Sequence, residues 1–192
     1  MPLGEFLGAL ASAAPAPGGG AAAALSVAIG AGLCAMAARL SGRRLDQAAA
    51  GQLTADGERI GRAAGSLIQA DAEAYGRVIS AMRSAAGADP AARERAAAAA
   101  LSAAADVPMR IAELGAETAG LASRLAADGN PALRGDAVAA ALLAEAGTRS
   151  AAALVKINLA SLPEDERHAR AESLVTVAAS AAQAARGGTP CE

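Results

Sequence analysis

From Phe6 to Ala38 the chain carries no charged side chain, and beyond Leu45 its large apolar residues recur at three- and four-residue spacings. That periodicity is helical throughout. Pro15-Ala16-Pro17-Gly18-Gly19-Gly20 cuts the uncharged run in two. A short helix is predicted before it over Leu3 to Ala13, with Phe6, Leu7 and Leu10 on one face. A buried helix is predicted after it, from Ala21 to about Leu40. Ser41-Gly42-Arg43-Arg44 reads as its C-terminal cap and turn, where cations favour the negative end of the dipole. The stripe Leu53, Ile60, Leu67, Ile68, Tyr75, Val78, Ile79 and Met82 predicts a long third helix over Leu45 to Ala86. Gly51, Gly57, Gly61, Gly65 and Gly76 interrupt it, and each costs about 1 kcal/mol against alanine in a helix interior. Tertiary packing must support this element, through close approach of a neighbouring helix.

Gly87-Ala88-Asp89-Pro90 is a break, with Asp89 as N-cap and Pro90 at the first helical position. A fourth segment runs from Ala91 to about Ala127, and Pro108 inside it predicts a kink or interruption near Ala104 to Val107. Asp128-Gly129-Asn130-Pro131 is the strongest turn signal in the chain. A fifth helix follows from Asp136 to about Ala160. The last begins at Ser161-Leu162-Pro163-Glu164, a capping box with Ser161 as N-cap, and ends near Gly187. No stretch reads as a strand. The prediction is an all-α antiparallel bundle of five or six helices forming one domain over residues 1–186, with residues 187–192 as a flexible tail.

The 192 residues suffice for one domain with a real core. Phe6 and Tyr75 are the only aromatics, so alanine, leucine, valine and isoleucine must fill the interior. Small side chains bring helix axes close but bury less apolar area per residue, which favours support from a partner subunit. Net charge is −2 and arginines alternate with acids, so the basic block of a nucleic-acid binder is missing. Cys34 and Cys191 are far apart and lack metal-ligand spacing, which suits a reduced cytoplasm and a Cys34 that acts as a small hydrophobe. Glu5 interrupts a start that also lacks basic residues, so no secretory leader is expected. The uncharged run is long enough to span a bilayer, yet Pro15 to Gly20 splits it and Ala, Gly and Ser26 dominate the remainder. Ala21 to Leu40 is therefore read as buried in protein, with no membrane partner.

Candidate chemistry begins at the glycine run, which is either a connector or a helix-opening turn whose unpaired N–H groups suit a carboxylate, phosphate or carbonyl oxygen. No GK[ST] follows it and no G-x-G-x-x-G is present, so nucleotide binding is not indicated. Asp71 stands four residues before Tyr75 on one helix face in an apolar stretch. It is solvent-facing, paired or functional. Asp136 stands at a helix N-terminus, where the dipole keeps it ionised and where an N-cap needs no further role. Lys156, the only lysine, reads as a solvated partner of a helix end, and His168 as exposed on a charged face. No Ser/His/Asp or Cys/His constellation and no metal motif is present.

These pieces resemble a known family in their order. Phe6-Leu7 to Leu10-Ala11-Ser12, Pro15-Ala16-Pro17-Gly18-Gly19-Gly20-Ala21, Met36-Ala37-Ala38-Arg39-Leu40-Ser41-Gly42, Asp71-Ala72-Glu73-Ala74-Tyr75, Val107-Pro108, Asn130-Pro131 to Asp136 and Lys156-Ile157-Asn158-Leu159 together resemble the cyclodeaminase/cyclohydrolase family. That family comprises the C-terminal domain of formiminotransferase-cyclodeaminase and stand-alone bacterial relatives, methenyltetrahydrofolate cyclohydrolases among them. The resemblance implies an all-α homodimer with a folate groove and a tetrahydrofolate derivative as substrate, with no tightly bound cofactor. It implies closure of formiminotetrahydrofolate to methenyltetrahydrofolate with loss of ammonia; hydrolysis of methenyltetrahydrofolate, or a non-catalytic folate-binding dimer, are the alternatives. On this basis Asp71 and Asp136 take pterin recognition or proton transfer, the Gly18, Gly19 and Gly20 amides bind an oxygen, and Arg43 or Arg44 binds the glutamate tail. Pro17, Arg39, Tyr75, Asn130 and Asn158 would stand beside them in the groove. The chain departs from the family where Ala21 replaces a serine, Arg43-Arg44 a lysine-rich turn, Tyr75 a phenylalanine and Leu154 a polar residue.

Overall fold

The structure is a computed structural model and describes residues 2–187. The chain runs α1 (Leu3–Leu10), α2 (Gly19–Arg39), α3 (Gln47–Ser84), α4 (Pro90–Ala104), α5 (Asp106–Asp128), a 3-10 turn (Pro131–Leu133), α6 (Arg134–Asn158) and α7 (Arg167–Gly187). Every regular element among the described residues is helical. The predicted Asp89 cap forms as read, accepting from Ala92 N–H at 2.9 Å with Pro90 behind it; Asp46, which the sequence reading does not single out, accepts from the Ala49 N–H at 2.7 Å to open α3.

The fourth predicted segment is two helices separated by Ala105. Pro108 falls in the first turn of α5, where a missing N–H leaves no hydrogen bond unmade, so the proline ends one helix by allowing the next to start.

Helix α2 is the centre of the bundle. Its residues 20, 28 and 35 meet Asp71, Gly61 and Gly57 of α3, while residues 19, 23 and 30 meet Leu154, Gly147 and Ala140 of α6. Both pairs therefore run antiparallel. Residues 27 and 30 meet Gly115 and Thr118, so α5 runs parallel to α2. These approaches need bare backbone at particular points: a Cβ on Gly57 would lie 2.8 Å from Ala35 N, and one on Gly147 would lie 2.7 Å from Val27 Cγ2. Around these contacts Val27, Ile60, Ile111, Leu114 and many alanines are fully buried. Cys34 is buried with them, its thiol pushed up to about 12 by burial, and behaves as the inert small hydrophobe predicted.

Four local expectations are corrected. Helix α1 stops at Leu10, and α2 starts at Gly19, so two of the three glycines belong to its first turn. Asp136 lies inside the first turn of α6, which follows the 3-10 turn and starts at Arg134, so it is not the cap. The Ser161 capping box does not form: α7 begins at Arg167, held by a longer-range network. Asp165 accepts from the Arg167 N–H at 3.0 Å, and the Arg167 guanidinium reaches Asp165, Asp106, the Ser102 hydroxyl and the Ser102 carbonyl. That tie joins the loop before α7 to the α4–α5 junction, and tertiary hydrogen bonds to charged groups outweigh a local cap worth about 1 kcal/mol. Of the predicted tail, Gly187 closes α7; residues 188–192, Cys191 included, lie outside the described residues.

Candidate functional site

The N-terminus of α2 opens into a cavity of about 270 Å³ whose floor is Pro15, Ala16, Gly18, Gly19 and Gly20. The Ala16–Pro17 peptide is cis. Helix α3 contributes Asp71, Ala74, Tyr75 and Val78; the α4–α5 junction contributes Leu101, Ala104 and Pro108; the end of α6 contributes Leu154, Ile157 and Asn158. Asp71 is the only carboxylate in this lining. Tyr75, four residues on, shares its face as the spacing predicts, and is about half exposed.

Asp71 Oδ2 accepts from the Ala21 N–H at 3.0 Å. That amide is one of the donors a helix cannot satisfy internally, so the carboxylate acts as a cap supplied from 50 residues away. Gly20 makes the approach possible, since a Cβ there would overlap the Asp71 carboxyl. Ala22 N–H already donates to the Gly18 carbonyl at 3.1 Å, whereas the Gly19 and Gly20 N–H groups meet no acceptor among the described residues. Burial raises the Asp71 carboxyl above the ordinary aspartate value of 3.8, and the Ala21 hydrogen bond offsets part of that rise. The result is a half-buried carboxyl that holds its proton more readily than usual, beside free amide donors and apolar walls.

The remaining predicted residues are distributed over both ends of the bundle. Pro17 adjoins the floor without lining it, and Asn158 lies in the wall. Arg39, Arg43, Arg44, Asn130 and Asp136 sit at the other end, because α2 is 21 residues, about 30 Å, long and α6 runs antiparallel to it. The structure therefore does not bring Asp136 to Asp71. Asn130 is engaged in packing: its N–H donates to the buried Ser41 hydroxyl at 2.8 Å, its side-chain oxygen accepts from Ala132 N–H and its side-chain nitrogen donates to the Leu40 carbonyl. Arg39 pairs with Glu58 across α2 and α3. Lys156 pairs with Glu172 at 2.7 Å on the surface. His168 is half-buried, not exposed, and touches the Leu162 carbonyl.

Sequence reasoning misses the apolar walls. Leu101, Ala104, Val78 and Leu154 are ordinary helix-face residues, and only the break at Pro108 signals that two helix ends meet a third element there.

A helical bundle that places one half-buried carboxylate on the free amides of a glycine-opened helix defines the class to which this site belongs. Residues 2–177 match the model of the formiminotransferase-cyclodeaminase family, and the chain belongs to that family. No curated protein matches it significantly. Among solved structures, the fold is similar to that of a formiminotetrahydrofolate cyclodeaminase from Thermotoga maritima, with a TM-score of 0.81 and 23% identity over 97% of this chain and 94% of that one. At that identity the likeness establishes the fold.

Proposed function

We propose that the chain is a folate-dependent one-carbon enzyme, a formiminotetrahydrofolate cyclodeaminase, with Asp71 as its proton-transfer group. The observation that carries this reading is the lone cavity carboxylate, half-buried, raised in pKa by that burial and pinned by Ala21 N–H. In the reaction N10 of the substrate adds to the carbon of the N-protonated formimino group on N5. The proton on N10 must then reach the amino nitrogen of the tetrahedral carbon, which departs as ammonia and leaves the methenyl bridge. One carboxylate can take that proton from N10 and pass it to the amino nitrogen, and a raised pKa brings it closer to the nitrogens it serves. The Gly19 and Gly20 amides and the Asn158 side chain are available to hold polar atoms of the substrate, and Leu101, Pro108 and Leu154 to cover its rings. The chemistry as written requires no further cofactor.

The test is to add formiminotetrahydrofolate to the purified protein and follow the methenyl chromophore together with released ammonia. Both should appear. Loss of the chromophore from added methenyltetrahydrofolate, with no deamination, would assign the hydrolase reaction; no change with either substrate would leave a non-catalytic binder.

A further inference from the structure

Helix α4 supplies one wall of the Asp71 cavity, yet little holds it there. Asp71 packs on Gly20 at the start of α2, so residues 72–84 of α3 run on past that helix, and α4 folds back along them. From Ile79 to Ala104 no side chain is buried. A segment with so little buried surface opens at low cost, and a detached helix of 15 residues is marginal in water. Among the described residues, every hydrogen bond that ties α4 to another element comes from one side chain. The Arg167 guanidinium donates to the Ser102 carbonyl and to the Ser102 hydroxyl, each at 2.8 Å.

Ser102 stands behind the wall. Leu101 and Ala104 face the cavity, whereas Ser102 and Arg167 line a groove on the other face of α4. The Ser102 carbonyl belongs to the last turn of α4, where a cation answers acceptors that the helix leaves unpaired. The post is firmer than what it holds. Arg167 also donates to Asp165 and to Asp106, the first residue of α5, at 2.8 and 2.7 Å. Its loop leaves α6 directly after the cavity residue Asn158, through the fully buried Leu159.

We infer that Arg167 is the latch of a movable cavity wall: α4 swings away from the bundle to admit a ligand and is held over it again by the two Arg167–Ser102 bonds. Arg167 touches no ligand in this scheme and acts through Ser102, as a positioning residue. Asp71 stays where the Ala21 amide holds it, so the latch governs passage and not the proton-transfer group. Breaking the latch therefore speeds entry and release alike, and leaves affinity nearly unchanged because both rates scale with the open fraction.

Hydrogen exchange tests the latch without reference to activity. Ser102→Ala removes one of the two bonds and keeps the Asp165 and Asp106 pairs. Its α4 amides should exchange at least about fivefold faster than those of wild type, as loss of a hydrogen bond to a charged group implies, with α2 and α6 amides unchanged. In an Arg167→Gln background, Ser102→Ala should add little, since both substitutions break one contact. Equal α4 exchange in wild type and Ser102→Ala, or acceleration spread over all helices, overturns the inference.

The passage arm rests on the proposed folate site and uses 5-formyltetrahydrofolate as a stable probe. Ser102→Ala should release it at least about fivefold faster than wild type, with a dissociation constant within about twofold. A tie that serves the fold alone would move the melting temperature and neither rate. Unchanged release from a variant whose α4 amides exchange faster, or faster release matched by an equal loss of affinity, overturns the inference. Faster α4 exchange in a protein that binds no folate would instead refute the folate reading and leave the latch standing.

Discussion

The Asp71 carboxyl occupies the space that a side chain on Gly20 would fill, and from there it reaches the Ala21 amide at 3.0 Å. The two positions are 51 apart in sequence and are interlocked: bare backbone at one is the condition for the carboxyl at the other. Gly20→Ala should therefore displace Asp71 from the helix terminus. We expect a loss of turnover of at least about tenfold, since misplacement of about 1 Å can cost a hundredfold, with destabilisation of about 1–3 kcal/mol for overpacking. Steady-state kinetics and denaturant melts check both.

Asp71→Asn keeps the shape and can still accept from Ala21 N–H, but cannot move a proton. Turnover on formiminotetrahydrofolate should fall by about a hundredfold or more, the range for loss of a general acid or base. Stability should change in the opposite sense. Because the folded-state pKa is raised, the native protein binds the proton more tightly than the unfolded chain, so ionisation of Asp71 opposes folding. That penalty is absent below 3.8 and grows as pH rises through the folded value. The stability advantage of Asp71→Asn over wild type should thus be greater at pH 7 than at pH 3, measured by urea titration at each.

Arg167 gives the reverse dependence. Hydrogen bonds from Arg167 lower the Asp165 carboxyl to about 2, so the pair stabilises the fold above the ordinary value of 3.8 and its contribution is lost as pH falls through about 2. Arg167→Gln should lower the melting temperature at pH 7. The gap to wild type should narrow as the solution is acidified, leaving the part due to the Ser102 hydrogen bonds, and thermal melts across that range read it directly.

The glycines of the long helix separate into two groups. A Cβ on Gly57 would press on the α2 backbone at 2.8 and 2.9 Å, whereas Gly51, Gly65 and Gly76 have open space around them. Gly57→Ala should cost about 1–3 kcal/mol, and Gly65→Ala should stabilise by about 0.5–1 kcal/mol. Chemical denaturation of the two single variants distinguishes them by sign.

Much of the bundle is legible in the sequence because its signals are local. The Asp89-Pro90 start, the interruption before Pro108 and the stripe through Ile60 and Val78 follow from capping, proline geometry and period. The same local signals cannot say which glycine in α3 meets a neighbour, since Gly57 and Gly65 sit in similar contexts and only the crossing of α2 separates them. Ser161 satisfies a capping pattern that the distant Ser102 and Asp106 override through Arg167. At the site, the joint reading of the glycine run, Asp71, Tyr75 and Asn158 corresponds to one cavity. Asp136 and the arginines do not join it, because a motif fixes position along a helix but not which end of an antiparallel neighbour lies beside it.

The most direct measurement is formation of the methenyl chromophore and ammonia from formiminotetrahydrofolate by wild-type and Asp71→Asn protein, side by side, with circular dichroism to show equal helicity. Turnover by the wild type and its near-complete loss in the variant are predicted; equal turnover by two equally folded proteins would contradict a catalytic Asp71.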